Sequence, residues 1–544
     1  MSTHAPPSGE KAVAPTLHAL DEQVAAAAST PLEQGAHQNR FGLLSIIGLS
    51  YAILNSPTAM SASLSVVLSS GGPVSVIWGV VVSATGVLAI AASLAECCAV
   101  APTSGGPYHW AFMLSGRSYQ KATAFITGWI AVAGWVCLTA TTSSLAGTLI
   151  VGAIALMHPD YEEKAWHVFL IYVGFAILGW LVNVFGASLL DPINRAALFW
   201  SLAGVAVIMI TTLACASPTF QSGDFVFRQF VNSTGWPDGV AWILGLLQST
   251  FGLVGVDGVT HMVHELPNPA LNAPRAMILA PIIGAGSAII LLITFLFVLS
   301  DFAEVTTGSA GPLLTILYQA TNNRAGAICL YVFPVASMAF AAIAILCASS
   351  RQTQAFARDR GIIFSSFFAS ENERLGVPVP AITFSTIWVC IFGLVFLGSS
   401  TALNSILSAS VVLLQVSYCI PVILLLIRGR RLLDELAEGE PRTFDLGRWG
   451  YAVNAYGVAF MLLTTVFFFF PSELPVSGSN MNYVVVVCAV VTLIAVISYL
   501  VDGRRNYVGP LDIGHQLALA RARASAPGAT DVGGKTSSKE GSGV

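Results

Sequence analysis

The sequence predicts an all-α integral membrane protein with twelve transmembrane helices, the first and sixth of them broken. Three observations carry this. Of 544 residues, 55% are hydrophobic and only 10% are charged, with a mean hydropathy of +0.75; soluble domains carry about 25% charged residues. Windows of about 19 residues find apolar segments along most of the chain. Two of those segments contain residues that interrupt a helix, Asn55-Ser56-Pro57 in one and Gly252, Gly255 and Gly258 in the other.

Taken in order, the spans lie near 43–69, 74–100, 123–157, 166–184, 196–215, 240–263, 276–300, 326–350, 379–398, 403–427, 453–471 and 483–501. A shorter apolar piece, 312–321, reads as an interfacial or outer helix. Residues 1–40 and 506–544 are polar and read as tails flanking a twelve-helix domain at 41–505; the first 40 residues hold no apolar run of a secretory signal. The nine cysteines fall in or beside apolar segments with no zinc or disulfide spacing, so they read as small buried hydrophobes. No nucleotide-binding Gly-Lys loop, zinc spacing or nucleophile elbow occurs, so the sequence offers no enzyme motif and implies no cofactor or metal. A net charge of −4 points away from a nucleic-acid partner and leaves the lipid bilayer as the large one.

Charge placement sets the orientation. With the N-terminus inside, 21 of the 24 Lys and Arg fall in inner segments, and only Lys164, Arg228 and Arg324 fall outside. That asymmetry predicts cytoplasmic N- and C-termini. It also puts the 216–238 loop, with its sequon Asn232-Ser233-Thr234, outside.

The two interruptions organise the rest. At 1.5 Å per helical residue, Asn55 lies roughly 18 Å from the inner end of its span and Phe251 roughly 17 Å from the outer end of its own. In a hydrocarbon core about 30 Å thick, both sit near the midplane. The two spans run in opposite directions, as an inverted repeat of five helices plus five requires, with the last two spans outside it. Backbone opened in hydrocarbon survives only where it lines a cavity, and interrupted segments at corresponding positions of two halves point to a transporter's binding site. The expected substrate contacts are Asn55, Ser56, Thr58, Phe251, Gly252, Gly255 and Asp257.

Titratable groups supply gating and coupling candidates: Glu96, Asp257, His261, Glu265 and Arg351. Asp257 can hold a substrate ammonium, carry a proton, or cap the helix that follows. His261 and His264 can relay protons or serve as structural residues. Glu96 reads as an inner-gate ion pair or as a helix end among headgroups. Arg351, Arg358, Asp359 and Arg360 read as a loop that pairs with Glu96 or Glu265, or as a solvated positive-inside loop. Trp129, Trp135 and Trp180 could present aromatic faces to a quaternary ammonium, although packing explains such residues more often.

Several motifs bear a family resemblance. Ser93-Leu94-Ala95-Glu96 and Pro102-Thr103-Ser104-Gly105-Gly106-Pro107-Tyr108-His109-Trp110 resemble the signature after the second helix of amino acid–polyamine–organocation permeases. The His-Trp ending is typical of the fungal branch that takes amino acids, γ-aminobutyrate and choline. The stretches 256–265, 268–275 and 350–361 look like that family's sixth helix, the loop after it, and the segment after helix eight. The resemblance runs from about 41 to 505 and implies the twelve-helix, five-plus-five inverted-repeat permease fold. It also implies an aromatic gate at Phe251 and a gating acid at Asp257. Two positions depart from the pattern. Many relatives hold an α-carboxylate on a Gly-rich turn in helix 1, but here Pro57 has no N–H to donate. Some proton-coupled relatives carry a lysine in helix 5, and 196–215 has none.

The expectation is a plasma-membrane permease that imports an amino acid or γ-aminobutyrate by alternating access, coupled to protons. The alternatives are a choline or ethanolamine permease and a non-transporting nutrient receptor.

Overall fold

The computed structural model describes residues 42–510 except 399, 438–441, 479 and 508. The expectations for 1–40 and for 511–544 fall outside the described residues. Among the described residues, ten helices are long and apolar enough to cross a membrane: Leu43–Ala62, Gly72–Val100, Gln120–Met157, Ala165–Phe185, Ala187–Ala216, Pro269–Val298, Arg324–Arg358, Ser405–Arg428, Gly447–Phe467 and Val484–Asn506. Val379–Gly398 adds an apolar helix of 20 residues. The region expected as span six is instead a 14-residue helix, Asp238–Phe251, an irregular turn, and a 3₁₀ segment, Gly258–Glu265. The only two-stranded ladder among the described residues pairs Ser70–Gly71 with Val231–Asn232 and ties the two broken segments together at one end.

Local chemistry explains where the helices start and stop. Proline stands in the first turn of Gly72–Val100, Pro107–Leu114, Pro269–Val298 and Pro312–Thr321. There its missing N–H would have had no intrahelical partner anyway. The first span stops at Asn55, which takes the left-handed conformation (φ 44°, ψ 36°) that Asn tolerates better than most residues. A new helix, Ser56–Ala62, then starts with Pro57 in its first turn. In the second break Gly255 stands at φ +97°, which a residue with a Cβ would adopt only under strain.

Helix 1 is central: 83% of its apolar window is buried, against 11% for Val484–Asn506. The last helix therefore packs at the periphery. A Cβ at Gly48 would lie 2.4 Å from the Asn194 carbonyl oxygen, so helix 1 and the fifth helix touch backbone to backbone. Small residues permit such contacts where hydrophobic collapse does not drive helices together. Gly72–Val100 packs against Pro269–Val298, Gln120–Met157 against Arg324–Arg358, and Ala165–Phe185 against Val379–Gly398.

Three sequence expectations are refined. Helix 326–350 continues to Arg358, so Arg351–Arg358 is helix and not loop. Stretch 312–321 is a packed helix, with Leu313, Leu314, Ile316 and Leu317 buried. The chain past 505 stays in contact with the helices: Tyr507 is buried, its ring 5.3 Å from Phe125.

Candidate functional site

The two breaks meet. A Cβ on Gly252 would come within 2.5 Å of Met60, and Cβ atoms on Gly255 and Gly258 within 2.9 and 2.6 Å of Ile53. The Gln248 amide donates to the Met60 carbonyl at 2.7 Å, so the outer half of the sixth segment is bonded to the re-started first helix. Asn55, Ser56, Thr58, Phe251, Gly252, Gly255 and Asp257 are all buried. Asn55 donates to the Met338 sulfur at 3.7 Å. The Ser56 hydroxyl is buried without a hydrogen-bond partner and faces Gly284. Thr58 lines a void of about 20 Å³ with Ser61, Ser201 and Ser337. That is room for roughly one water. Phe251 to Asp257 do not line this void.

Asp257 is fully buried; one of its oxygens is hydrogen-bonded, and the other has no hydrogen-bond partner among the described residues. Tyr418 donates to Oδ1 at 2.5 Å, and His261 Nε2 lies 3.2 Å from Oδ2. On the other side of the ring, His261 Nδ1 is 2.8 Å from the Ser104 carbonyl oxygen. A carbonyl only accepts, so Nδ1 carries a hydrogen. That leaves Nε2 facing Asp257 Oδ2, close enough for an ion pair but without hydrogen-bond geometry. The edge of Trp135 closes the other side of the ring at 5.3 Å. Asp257 does not cap the following segment with its side chain; Thr260 N–H bonds the Asp257 backbone carbonyl instead, at 2.8 Å. His264 is exposed and lies apart from this cluster.

Toward the other end of the sixth segment, Glu265 accepts from Arg351 Nε at 2.9 Å, one of the expected pairings. The expected partner for Glu96 is corrected. Glu96 is fully buried and takes both guanidinium nitrogens of Arg430 at 2.6 Å, plus the Leu446 N–H at 2.8 Å. Arg442 stands 3.6 Å away. The residues around Arg351 are held on their own helix, whereas the segment after Arg428 folds back over the end of Gly72–Val100. In that segment, the Asp445 carboxyl is held below its ordinary range, first by the Gly447 N–H and then by Arg442 and Arg430.

Asp359 does not reach Glu96 or Glu265. It takes the Tyr108 hydroxyl at 2.8 Å and His109 Nε2 at 2.6 Å. Arg358 donates to the Ser104 hydroxyl at 2.9 Å. Ser104 therefore joins two clusters, its carbonyl bonded to His261 and its hydroxyl to Arg358. Nothing in the local pattern around Tyr418, Ser104 or Arg430 distinguishes them from ordinary helix and loop residues. Trp129, Trp135 and Trp180 do not form one aromatic box. Trp129 packs on Phe356, Trp135 on His261, and Trp180 donates to Thr383.

Two opened helices that meet among buried polar groups are the arrangement in which secondary transporters place their substrate sites. Comparison with known proteins gives the same class. A family model described as amino acid permease matches residues 41–493. A choline transporter of Saccharomyces cerevisiae is 33% identical over 469 residues, covering 86% of this chain and 82% of its own. A putative amino acid/polyamine transporter of Macrophomina phaseolina is 32% identical over 445 residues, 80% of this chain and 96% of its own. A swainsonine transporter of Arthroderma benhamiae is 27% identical over 501 residues, 90% and 96%. With broken helices meeting around a buried charge and a family match across most of its length, the chain is a multi-pass membrane protein that belongs to the amino acid permease family of the amino acid–polyamine–organocation superfamily.

Proposed function

We propose that this permease moves a small amine-bearing solute inward across the plasma membrane by alternating access, driven by protons, with both termini in the cytoplasm. The observation that carries the reading is the junction of the two breaks beside the Asp257–His261–Tyr418 cluster. The fold is twelve spans, the first ten in two inverted halves of five and the last two outside the repeat. Packing between helices five apart in the count, 2 with 7, 3 with 8 and 4 with 9, supports that symmetry.

Substrate occupies the junction, contacting the opened backbone at Asn55, Ser56, Thr58, Gly252 and Gly255, with Phe251 as lid. Proton coupling is supported by two buried titratable groups 3.2 Å apart at the junction, Asp257 and His261, between which a transported proton can be held. Loss of that proton to the inner side would release the sixth segment, and the ion pairs Glu265–Arg351 and Glu96–Arg430 would re-form the inner closure. Among amine-bearing solutes, a cationic amine of the choline type fits best, because Pro57 removes an amide that would hold an α-carboxylate and because one relative at 33% identity carries choline. The second reading, an amino acid or γ-aminobutyrate, rests on the family description.

Radiolabelled uptake of choline, ethanolamine, γ-aminobutyrate and a set of α-amino acids, in cells lacking their own permeases, tests both. Saturable uptake of an amine that a protonophore reduces to equilibration is the expected result. Accumulation indifferent to the protonophore and strictly dependent on sodium would reject proton coupling, and no uptake of any of these solutes would reject the transport reading.

A further inference from the structure

A second cavity lies away from the junction, between the outer part of helix 1, the Asp238–Phe251 helix, the Ser405–Arg428 helix and the segment 468–482. Its volume is about 380 Å³, and its lining includes Ser65, Ser69, Leu247, Ser408, Phe470 and Glu473. Leu247 stands one helical turn from Phe251 on the same face of its helix, so the cavity sits over the expected lid. In the proposed topology this is the extracellular mouth.

The charge there is one-sided. Glu473 is the single charged residue among those lining the cavity. It is exposed, and among the described residues it has no ion-pair or hydrogen-bond partner. At the inner ends of spans in the proposed topology, by contrast, Glu96 is answered by Arg430, Glu265 by Arg351 and Asp191 by Arg195. The serines offer hydroxyl oxygens, and Phe470 adds aromatic surface of the kind that attracts organic cations. The outer segments taken together have the same sign. In the proposed topology the outer segments carry eight acids (Asp160, Glu162, Glu163, Asp224, Asp238, Asp301, Glu304 and Glu473) against Lys164, Arg228 and Arg324. A mouth lined by one sign of charge concentrates the opposite ion and raises its on-rate.

We propose that this vestibule is a loading site for a cationic amine, with Glu473 as its counter-charge, occupied before the solute passes Phe251. The proposal rests on the topology and substrate class given above and adds a second, outer station for the cation. An anion is disfavoured there, and a zwitterion gains little, because its carboxylate meets the same field.

The test reads the vestibule without transport. In a chain with the exposed Cys215 and Cys329 replaced by serine, Ser65→Cys is labelled in intact cells with membrane-impermeant methanethiosulfonates, one carrying trimethylammonium and one sulfonate. At low ionic strength, about 10 mM, the Debye length is about 30 Å and screening is slight. A unit charge lining the same cavity then alters the ratio of cation to anion labelling about fivefold. The expected result is faster labelling by the cation, a preference that falls about fivefold in Glu473→Gln and reverses toward the anion in Glu473→Lys, and slowing of both reagents by choline. A preference unchanged by Glu473→Gln overturns the role of Glu473. Labelling that choline does not slow overturns the site as a loading station, and labelling only after permeabilisation overturns its outward position. Uptake is scored separately, so a chain that transports an amine but fails these labelling tests loses only the vestibule proposal.

Discussion

At the scale of single residues, charge pairing separates the possible roles of Asp257. Replacing it with Asn keeps the shape of the side chain but puts a neutral amide beside His261 Nε2 in place of a titratable carboxyl. If Asp257 carries the coupling proton, Asp257→Asn should abolish accumulation against a gradient while exchange of labelled for unlabelled solute persists. If it holds the substrate ammonium instead, affinity should fall ten- to hundredfold, since a charge-assisted contact contributes about 1.5–3 kcal/mol. Wild-type kinetics at matched surface expression would remove Asp257 from the mechanism. Phe251→Ala should raise the apparent KM for an amine about two- to thirtyfold, the range of one cation–π contact, with the protein still reaching the membrane. An unchanged KM would show that the lid lies elsewhere.

At the scale of elements, the segment after Arg428 acts as a clasp. Its Arg430 holds a fully buried Glu96 from 334 positions away in the sequence, and Arg442 ties the same carboxylate to Asp434 and Asp445. Removing one partner of a buried pair leaves an uncompensated charge and costs about 3–5 kcal/mol. Arg430→Ala should therefore lower the melting temperature of the purified protein clearly, softened by the nearby Arg442. The double change Glu96→Gln with Arg430→Gln should cost less than the sum of the single changes. Strict additivity in that cycle would mean the two groups are not coupled. The breaks are legible at this scale because their chemistry is local: an Asn that tolerates positive φ, a Pro without an N–H, and a Gly at φ +97°. The clasp is not, because Arg430 looks like any positive-inside arginine until the fold brings Glu96 to it.

At the scale of the whole molecule, the skew of Lys and Arg predicts the sidedness. Epitope tags at residue 1 or residue 530 should be shielded in intact cells and reached after permeabilisation. An antibody that binds a tag at residue 530 on intact cells would invert the topology, and with it the outward position of the vestibule. The peripheral last helix, mostly unburied, predicts that the permease body does not depend on it as it does on helix 1. Apolar-to-alanine changes on its exposed face, at Leu493 or Ile497, should leave uptake within about twofold of wild type, as surface substitutions usually do.

Read alone, the sequence determined the class of protein, most of the long apolar helices, the two breaks, and the family that the comparison bears out. Those features rest on composition, on apolar runs as long as a bilayer is thick, and on residues that interrupt a helix wherever they stand. It also named Asp257, His261 and Glu265 as candidates, since an ionisable group inside an apolar segment is conspicuous. Only the tertiary structure decided their partners. Tyr418 meets Asp257 across 161 positions, Ser104 meets His261 across 157, and Arg430, not Arg351, answers Glu96. The physical reason is that an apolar period locates a helix in the membrane but carries little information about which face meets which neighbour. That is settled by close packing of small residues and by the need of each buried charge to find a partner.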